Sequence, residues 1–266
     1  MGTISVNGIN MYYEIHGTGT PIVFLGGFSA DHIVWSAVLD HFRKSYQVIL
    51  LDNRGAGRTE VPEGPYTIEQ MARDVSELCL QLKIDRAHFV GSSMGGFVTQ
   101  TLARDFPDLV QSMILCNTVT SPDAPYQVYL QAQWELRLAE VPQEALIKAA
   151  CSWVFSHRFL SEPGTLDILV QLGARNPAPF TDRGYAGQYA ALLAFNSEDW
   201  AGRLPQPALV LAGDEDIIFQ EFLVKRLMDK LQDARYYCFR ECGHLPQIEQ
   251  PEVFYQVVHQ FIQNLA

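Results

Sequence analysis

The stretch Gly91-Ser92-Ser93-Met94-Gly95 places a serine between two glycines in the pattern G-x-S-x-G. The residues before it, His88–Val90, predict a strand, and Met94–Arg104 predict a helix. A sharp turn from strand to helix forces the central serine into a strained backbone conformation with its hydroxyl exposed. Glycine is needed two residues to either side because bulkier side chains would collide there. The stretch therefore predicts Ser93 as a nucleophile, against the alternative of a simple Gly/Ser turn.

Strands and helices alternate outward from this turn. Strands are predicted at Thr3–Val6, Met11–Ile15, Pro21–Leu25, Gln47–Leu51, His88–Val90, Ser112–Cys116, Ala208–Ala212 and Ala234–Phe239. Helices are predicted at Ala30–Phe42, Ile68–Leu82, Met94–Arg104, Glu221–Leu231 and Pro251–Leu265. This alternation favours an α/β fold with a mostly parallel eight-stranded sheet and helices on both faces.

The alternation stops in the middle of the chain. Residues 119–204 are helical and loop-like, and they contain no strong strand pattern. We expect residues 1–118 and 205–266 to form a core domain, and residues 119–204 to form a helical cap inserted over the sheet.

A serine hydroxyl is a weak nucleophile until a base takes its proton. His244 is the one histidine in a loop between a late strand and the last helix, where the sites of α/β proteins assemble. The base needs an acid to orient it, and Gly213-Asp214-Glu215-Asp216 follows a strand that ends at the same sheet edge. The chain order Ser, Asp, His is the order typical of one triad-bearing fold.

With these residues the chain resembles the α/β-hydrolase superfamily over nearly its whole length, except the middle insertion. In that family the acid usually stands third after the glycine that closes the strand, which implies Asp216. Asp214 and Glu215 are then expected to be capping or solvated groups.

The resemblance also implies an oxyanion hole built from backbone N–H groups. One donor is Met94, directly after the nucleophile, and the other is Phe28, in the loop after the strand Pro21–Leu25. Relatives usually carry His-Gly in this loop, whereas this chain carries Gly26-Gly27. The stretch Asp52–Thr59 resembles the family signature D-x-R-G-x-G-x-S/T, and we expect it to shape the loop beside the site.

The length, the cap and the glycine-rich turn resemble 3-oxoadipate enol-lactonases, small carboxylesterases, cofactor-free haloperoxidases and carbon–carbon bond hydrolases. The resemblance implies a serine hydrolase that cleaves a small ester or lactone through an acyl-enzyme on Ser93. The alternatives are hydrolysis of a carbon–carbon bond in a dienoic diketone, perhydrolysis or acyl transfer, and a non-catalytic receptor for a small molecule. A serine at the turn argues against haloalkane dehalogenase chemistry, which uses aspartate there.

The insertion is rich in aromatic residues that could form an apolar pocket. We select Trp134, Trp153 and Tyr189 as candidate substrate-binding residues. Four arginines of the insertion could bind a substrate carboxylate: Arg137, Arg158, Arg175 and Arg183.

The composition limits the partners. The 266 residues include 19 basic and 30 acidic ones, for a net charge of −11. An acidic surface repels phosphate backbones and anionic membranes, so we expect neither nucleic acid nor membrane as a partner. The expected partner is a small-molecule ester or lactone, and the sequence leaves a homodimer open.

Five cysteines, an odd number without a C-x-x-C pair, favour a reduced compartment over a disulfide framework. The N-terminus shows neither a basic region nor a long apolar stretch, so we expect a cytoplasmic protein. No His/Cys pair completes a zinc site beside Cys238 and Cys242, and Gly17-Thr18-Gly19 lacks the helix of a dinucleotide loop. We therefore expect no metal and no cofactor.

Overall fold

The computed structural model describes residues 1–265 and contains one eight-stranded sheet. Its strands are β1 (Gly2–Val6), β2 (Ile9–His16), β3 (Thr20–Leu25), β4 (Tyr46–Leu51), β5 (Ala87–Ser92), β6 (Val110–Cys116), β7 (Ala208–Gly213) and β8 (Ala234–Phe239). They are arranged in the order β1-β2-β4-β3-β5-β6-β7-β8. Only the β1/β2 and β2/β4 pairs are antiparallel, so the predicted mostly parallel sheet is confirmed.

The helices fall into three groups along the chain. The first group is α1 (Ser36–Phe42), α2 (Ile68–Gln81) and α3 (Met94–Asp105). The second is α4 (Ala124–Leu138), α5 (Gln143–Val154), α6 (His157–Ser161), α7 (Thr165–Ala174) and α8 (Asp182–Ala194). The third is α9 (Glu221–Lys230), α10 (Pro246–Glu249) and α11 (Pro251–Gln263).

Each face of the sheet carries its own hydrophobic core. Alternate residues of β3 belong to different cores, Val23 to one and Phe24 to the other, because successive side chains of a strand point to opposite faces. The first core receives buried side chains from α2, α3 and α9, and the second from α1 and α11. Burial on both faces explains why β3 is a continuous apolar run.

Helix α2 begins where its sequence predicts. The Thr67 side chain accepts from the N–H of Gln70, and the Gln70 side chain accepts from the N–H of Thr67, which completes a capping box. The predicted single helix at Ala30–Phe42 is wrong in its first half. A 3₁₀ turn at His32–Trp35 precedes α1; within this turn Trp35 is buried and Ile33 is exposed.

Between β6 and β7 the chain forms α4–α8 and no strand, as the composition of residues 119–204 predicts. We call residues 119–204 the helical insertion; its standing as a separate cap subdomain stays a prediction. Across residues 1–265, no helix has the length and apolar character needed to span a membrane.

Candidate active site

Ser93 stands at the turn between β5 and α3 with φ +55° and ψ −118°. A non-glycine residue at positive φ is strained, and such strain persists only where the surroundings hold it in place. A Cβ atom on Gly95 would lie 2.1 Å from the Leu25 carbonyl oxygen, and one on Gly91 would lie 2.3 Å from the Gly95 carbonyl oxygen. Glycine at these two positions is therefore required for α3 to approach the sheet this closely.

The last residue of β6 and the segment that follows it hold the Ser93 backbone through hydrogen bonds. The Ser93 N–H donates to the Cys116 carbonyl at 2.9 Å, and the Ser93 carbonyl accepts from the Thr118 hydroxyl at 2.8 Å. The strained conformation is thus stabilised by hydrogen bonds to the neighbouring strand end.

His244 and Asp216 meet in the loops that follow β8 and β7. His244 Nδ1 lies 2.7 Å from Asp216 Oδ2, and both residues are buried. The other carboxylate oxygen of Asp216 accepts from the N–H groups of Ile218 and Phe219 at 2.8 and 3.1 Å. These bonds fix the direction of the carboxylate, which in turn orients the imidazole ring.

The two neighbouring carboxylates have other partners. Asp214 accepts from the Cys242 N–H at 3.3 Å, and Glu215 accepts from the His157 N–H at 2.7 Å. They tie adjacent segments to the end of β7, in line with the expectation that neither is the acid of the site.

Asn117, which was not predicted as a site residue, connects the loops of Asp216 and His244. Its side chain donates to the Gly243 carbonyl at 3.0 Å and accepts from the Gly213 N–H at 3.1 Å. Its position directly after β6, at the same sheet edge, is the sequence signal that could have identified it.

The helical insertion supports the His244 loop. The His244 N–H donates to the Val154 carbonyl at 2.7 Å. Glu249 accepts from the Gly243 N–H at 3.0 Å and from the Ser156 hydroxyl. Burial raises the pKa of the Glu249 carboxyl, while these hydrogen bonds act in the opposite direction.

Ser93 and His244 line one cavity of about 390 Å³ between the sheet edge and the helical insertion. Among the hydrogen bonds of residues 1–265, none joins the Ser93 hydroxyl to the His244 ring. Such bonds are often long in ligand-free enzymes and shorten when substrate binds. The structure thus brings Ser93, His244 and Asp216 to one edge of the sheet, with the serine and the histidine facing a common space.

One face of α4 supplies much of the cavity wall. Its lining residues follow the helical spacing i, i+3, i+4, i+7 and i+11: Tyr126, Tyr129, Leu130, Gln133 and Arg137. Phe180, just before α8, and Tyr185, within α8, also line the cavity.

The three aromatic candidates chosen from the sequence do not line this cavity, so that prediction is corrected. Trp134 and Tyr189 pack against Tyr185, with ring centroids 5.2 and 6.0 Å away, and Trp153 stacks on Tyr129 at 4.3 Å. They form a layer behind the wall because the helices of the insertion carry aromatic residues on more than one face.

Of the four candidate arginines, only Arg137 lines the cavity. Its guanidinium group donates to Asp182 Oδ1 at 2.7 Å and to the Phe180 carbonyl at 3.1 Å. Arg158, Arg175 and Arg183 are exposed.

The loop after β3 passes directly beside the serine. A Cβ atom on Gly27 would lie 3.1 Å from Ser93 Cβ. The Gly26 carbonyl accepts from the Asn53 side chain at 3.0 Å, and Gln188 joins the Ser29 N–H to the Arg54 carbonyl at 3.0 and 2.8 Å. Buried amides thus anchor the loop that carries Gly26 in place of the usual histidine.

The signature Asp52–Thr59 organises the same loop. Asp52 accepts from the backbone N–H groups of His32 and Arg58 at 2.7 and 2.8 Å. Arg54 forms a buried ion pair with Asp74 at 2.7 Å. These contacts agree with the expected structural role of this stretch beside the site.

The described part of the chain shows no group of three or more His, Cys, Asp or Glu side chains placed to hold a metal ion. Its five cysteines are all free thiols.

A buried His–Asp pair, a serine at a strained strand-to-helix turn and an eight-stranded α/β sheet together define a class of hydrolases. A family model for the alpha/beta hydrolase fold matches residues 20–251. The chain belongs to this family and is an enzyme of it.

Individual relatives match along almost their full length. The chain is 27% identical to a protein of Azorhizobium caulinodans named "Putative carbamate hydrolase RutD", over 94% of this chain and 93% of the relative. It is 27% identical to the 3-oxoadipate enol-lactonase 2 of Acinetobacter baylyi, over 96% and 94%. The crystal structure of the enol-lactonase from Burkholderia xenovorans LB400 aligns with a TM-score of 0.85 and 28% identity, over 98% and 99%.

Proposed function

We propose that this protein is a serine hydrolase that cleaves a small carboxylic ester or lactone through an acyl-enzyme on Ser93. The observation that carries the proposal is the buried His244–Asp216 pair, whose ring borders the same cavity as the strained Ser93. A nucleophile, a base and a group that orients the base are the parts that acyl transfer requires.

The reaction has two halves. Ser93 Oγ attacks the carbonyl carbon while His244 Nε2 takes the hydroxyl proton, and Asp216 holds the imidazolium that forms. The carbon–oxygen bond of the ester then breaks, and the proton passes from His244 to the leaving oxygen. Water attacks the acyl-enzyme with the same base, which releases the acid and restores Ser93. For a lactone, the acid and the alcohol remain in one molecule.

The negative charge on the carbonyl oxygen needs hydrogen-bond donors that are already in place. Within residues 1–265, the backbone N–H groups of Phe28 and Met94 have no hydrogen-bond partner. The Phe28 ring packs against Tyr185 and Phe180, with centroids 4.8 and 5.8 Å away. We assign the oxyanion hole to these two N–H groups.

The cavity and the relatives both support a small acyl substrate. The cavity volume of about 390 Å³ lies near the lower end of the range for ligand sites, roughly 300–1,000 Å³. Two of the similar proteins are named as enol-lactonases, and a third is named for carbamates, whose carbonyl would be attacked in the same way.

A fluorophosphonate probe followed by peptide mass spectrometry tests the nucleophile. We expect labelling at Ser93 and turnover of p-nitrophenyl esters, with the preferred acyl length reporting the size of the cavity. Ser93→Ala should abolish both labelling and turnover. Ser92→Ala is the matched control because Ser92 is also buried beside the turn. This variant should be labelled at Ser93 to the same extent as the wild type. Ester turnover that survives Ser93→Ala would overturn the proposal.

A further inference from the structure

Tyr126 buries its side chain in the wall of the cavity, at the start of α4. Its backbone N–H donates to Asp123, the residue that caps the helix, at 3.2 Å. The residue is only 4% exposed, yet it borders the cavity that Ser93 and His244 also line. A buried polar side chain in this place needs a hydrogen-bond partner.

The Tyr126 hydroxyl has no such partner among residues 1–265, in contrast to a second cavity tyrosine. The Tyr185 hydroxyl donates to the Leu130 carbonyl at 3.0 Å. The hydroxyl is not fully enclosed by protein atoms, so it can donate to a molecule bound in the cavity. Burial raises the pKa of the Tyr126 phenol well above its usual value, so the group keeps its proton and acts as a donor.

The surroundings of Tyr126 place it on the histidine side of the site. Its ring centroid lies 4.9 Å from that of Phe219, which lies 5.7 Å from that of His244. The proposed oxyanion donors, Phe28 and Met94, belong to the loop after β3 and the start of α3. In the proposed reaction the carbonyl oxygen points to those donors, whereas the leaving oxygen faces His244, which protonates it.

We propose that the Tyr126 hydroxyl donates a hydrogen bond to the leaving oxygen of the ester or lactone, and that this contact selects substrates with an oxygen leaving group. The inference rests on the proposed function, because it requires His244 to face the leaving group. Tyr126 keeps its own proton throughout: the proton that the leaving oxygen gains comes from Ser93 by way of His244. The hydrogen bond is strongest as negative charge develops on that oxygen.

A matched pair of substrates separates this role from a structural one. Ethyl butyrate and S-ethyl thiobutyrate share the acyl group and differ in the leaving atom, and sulfur is a weak hydrogen-bond acceptor. Acid release in a pH-indicator assay measures kcat/KM for both substrates. Tyr126→Phe should lower the value for the ester roughly tenfold and that for the thioester by less than about twofold, the effect of one lost hydrogen bond.

Tyr185→Phe is the control, because it removes a cavity hydroxyl that already has a protein partner. Any change in this variant should be equal for the two substrates. Equal losses on both substrates in Tyr126→Phe, or no loss on either, would overturn the inference.

Labelling separates the failure of this inference from the failure of the proposed function. Tyr126→Phe should still react to completion with the fluorophosphonate probe at Ser93, since the nucleophile and base are unchanged. If Ser93→Ala kept its ester turnover, the proposed function itself would fall. If Ser93→Ala were inactive and Tyr126→Phe matched the wild type on both substrates, only the role of Tyr126 would fall.

Discussion

His244 Nδ1 lies 2.7 Å from Asp216 Oδ2, and only 4% of His244 and 3% of Asp216 is exposed. The carboxylate is held by the N–H groups of Ile218 and Phe219, so the imidazole has one preferred orientation. Because Nδ1 faces the carboxylate, Nε2 is the nitrogen left to act as a base. The charge of Asp216 stabilises the ring when it becomes protonated.

Asp216→Asn should lower kcat for ester hydrolysis roughly 10³- to 10⁴-fold, because an amide N–H facing Nδ1 favours the wrong tautomer of His244. The fold should be retained, since the new side-chain oxygen can still accept from Ile218 and Phe219. The measurement is kcat with a p-nitrophenyl ester, together with the melting temperature. Asp214→Asn, at the same strand end, should keep kcat near that of the wild type. Wild-type activity in Asp216→Asn would remove this residue from the mechanism.

Gly95→Ala should prevent correct folding around Ser93, because the added Cβ would lie 2.1 Å from the backbone oxygen of Leu25. We expect a loss of at least about 3 kcal/mol in the free energy of unfolding, in the range of severe overpacking. Gly164→Ala is the matched control: it has φ +83° and no atom within 4 Å of the added Cβ, so it should cost only about 1–2 kcal/mol. Urea unfolding compares the two variants, and equal losses would contradict the steric argument.

Asn53→Ala should weaken the oxyanion loop, because it removes the hydrogen bond to the Gly26 carbonyl at 3.0 Å. We expect a fall of roughly tenfold in kcat, alongside a loss of about 1 kcal/mol in stability. Gln206→Ala removes a similar buried amide, which donates to the Ala103 carbonyl at 3.0 Å outside the cavity lining. It should lose comparable stability while kcat stays unchanged. A fall in kcat of the same size in both variants would mean that the effect is not specific to the loop.

His88 should make stability depend on pH. Burial lowers the pKa of this imidazole from 6.5 to about 4, and its Nδ1 lies 2.8 Å from the Ser112 hydroxyl. Between these two pKa values the unfolded chain binds the proton and the folded chain does not, so stability is lost as the pH falls from 6.5 towards 4. Lowering the pH from 7 to 5 should therefore cost about 2 kcal/mol at this residue.

Urea unfolding of the wild type and of His88→Asn at pH 5 and pH 7 measures this contribution. The variant carries no titrating group at this position, so its loss of stability on acidification should be smaller by about 2 kcal/mol. The comparison uses the difference between the two pH values, which cancels any constant cost of the substitution. An identical pH dependence in both proteins would contradict the lowered pKa.

The sequence alone determined the strand-to-helix alternation, the position of Ser93 and the candidates Asp216 and His244. These features depend on local constraints. Glycines around Ser93 allow only one kind of turn, and apolar runs mark strands that are buried on both faces. Parallel strands bring their carboxyl ends to one edge, so residues that directly follow them can be assembled without knowing the packing.

Only the tertiary structure decided the cavity wall and the supports of the site. Trp134, Trp153 and Tyr189 lie behind the lining residues, because the helices of the insertion carry aromatic residues on more than one face and the sequence does not show which face meets the sheet edge. Asn117 holds Gly243, 126 residues away in the chain, and Gln188 holds Ser29, 159 residues away. Local propensity carries no information about such pairs, because their contacts form only after the insertion and the strand ends have packed together.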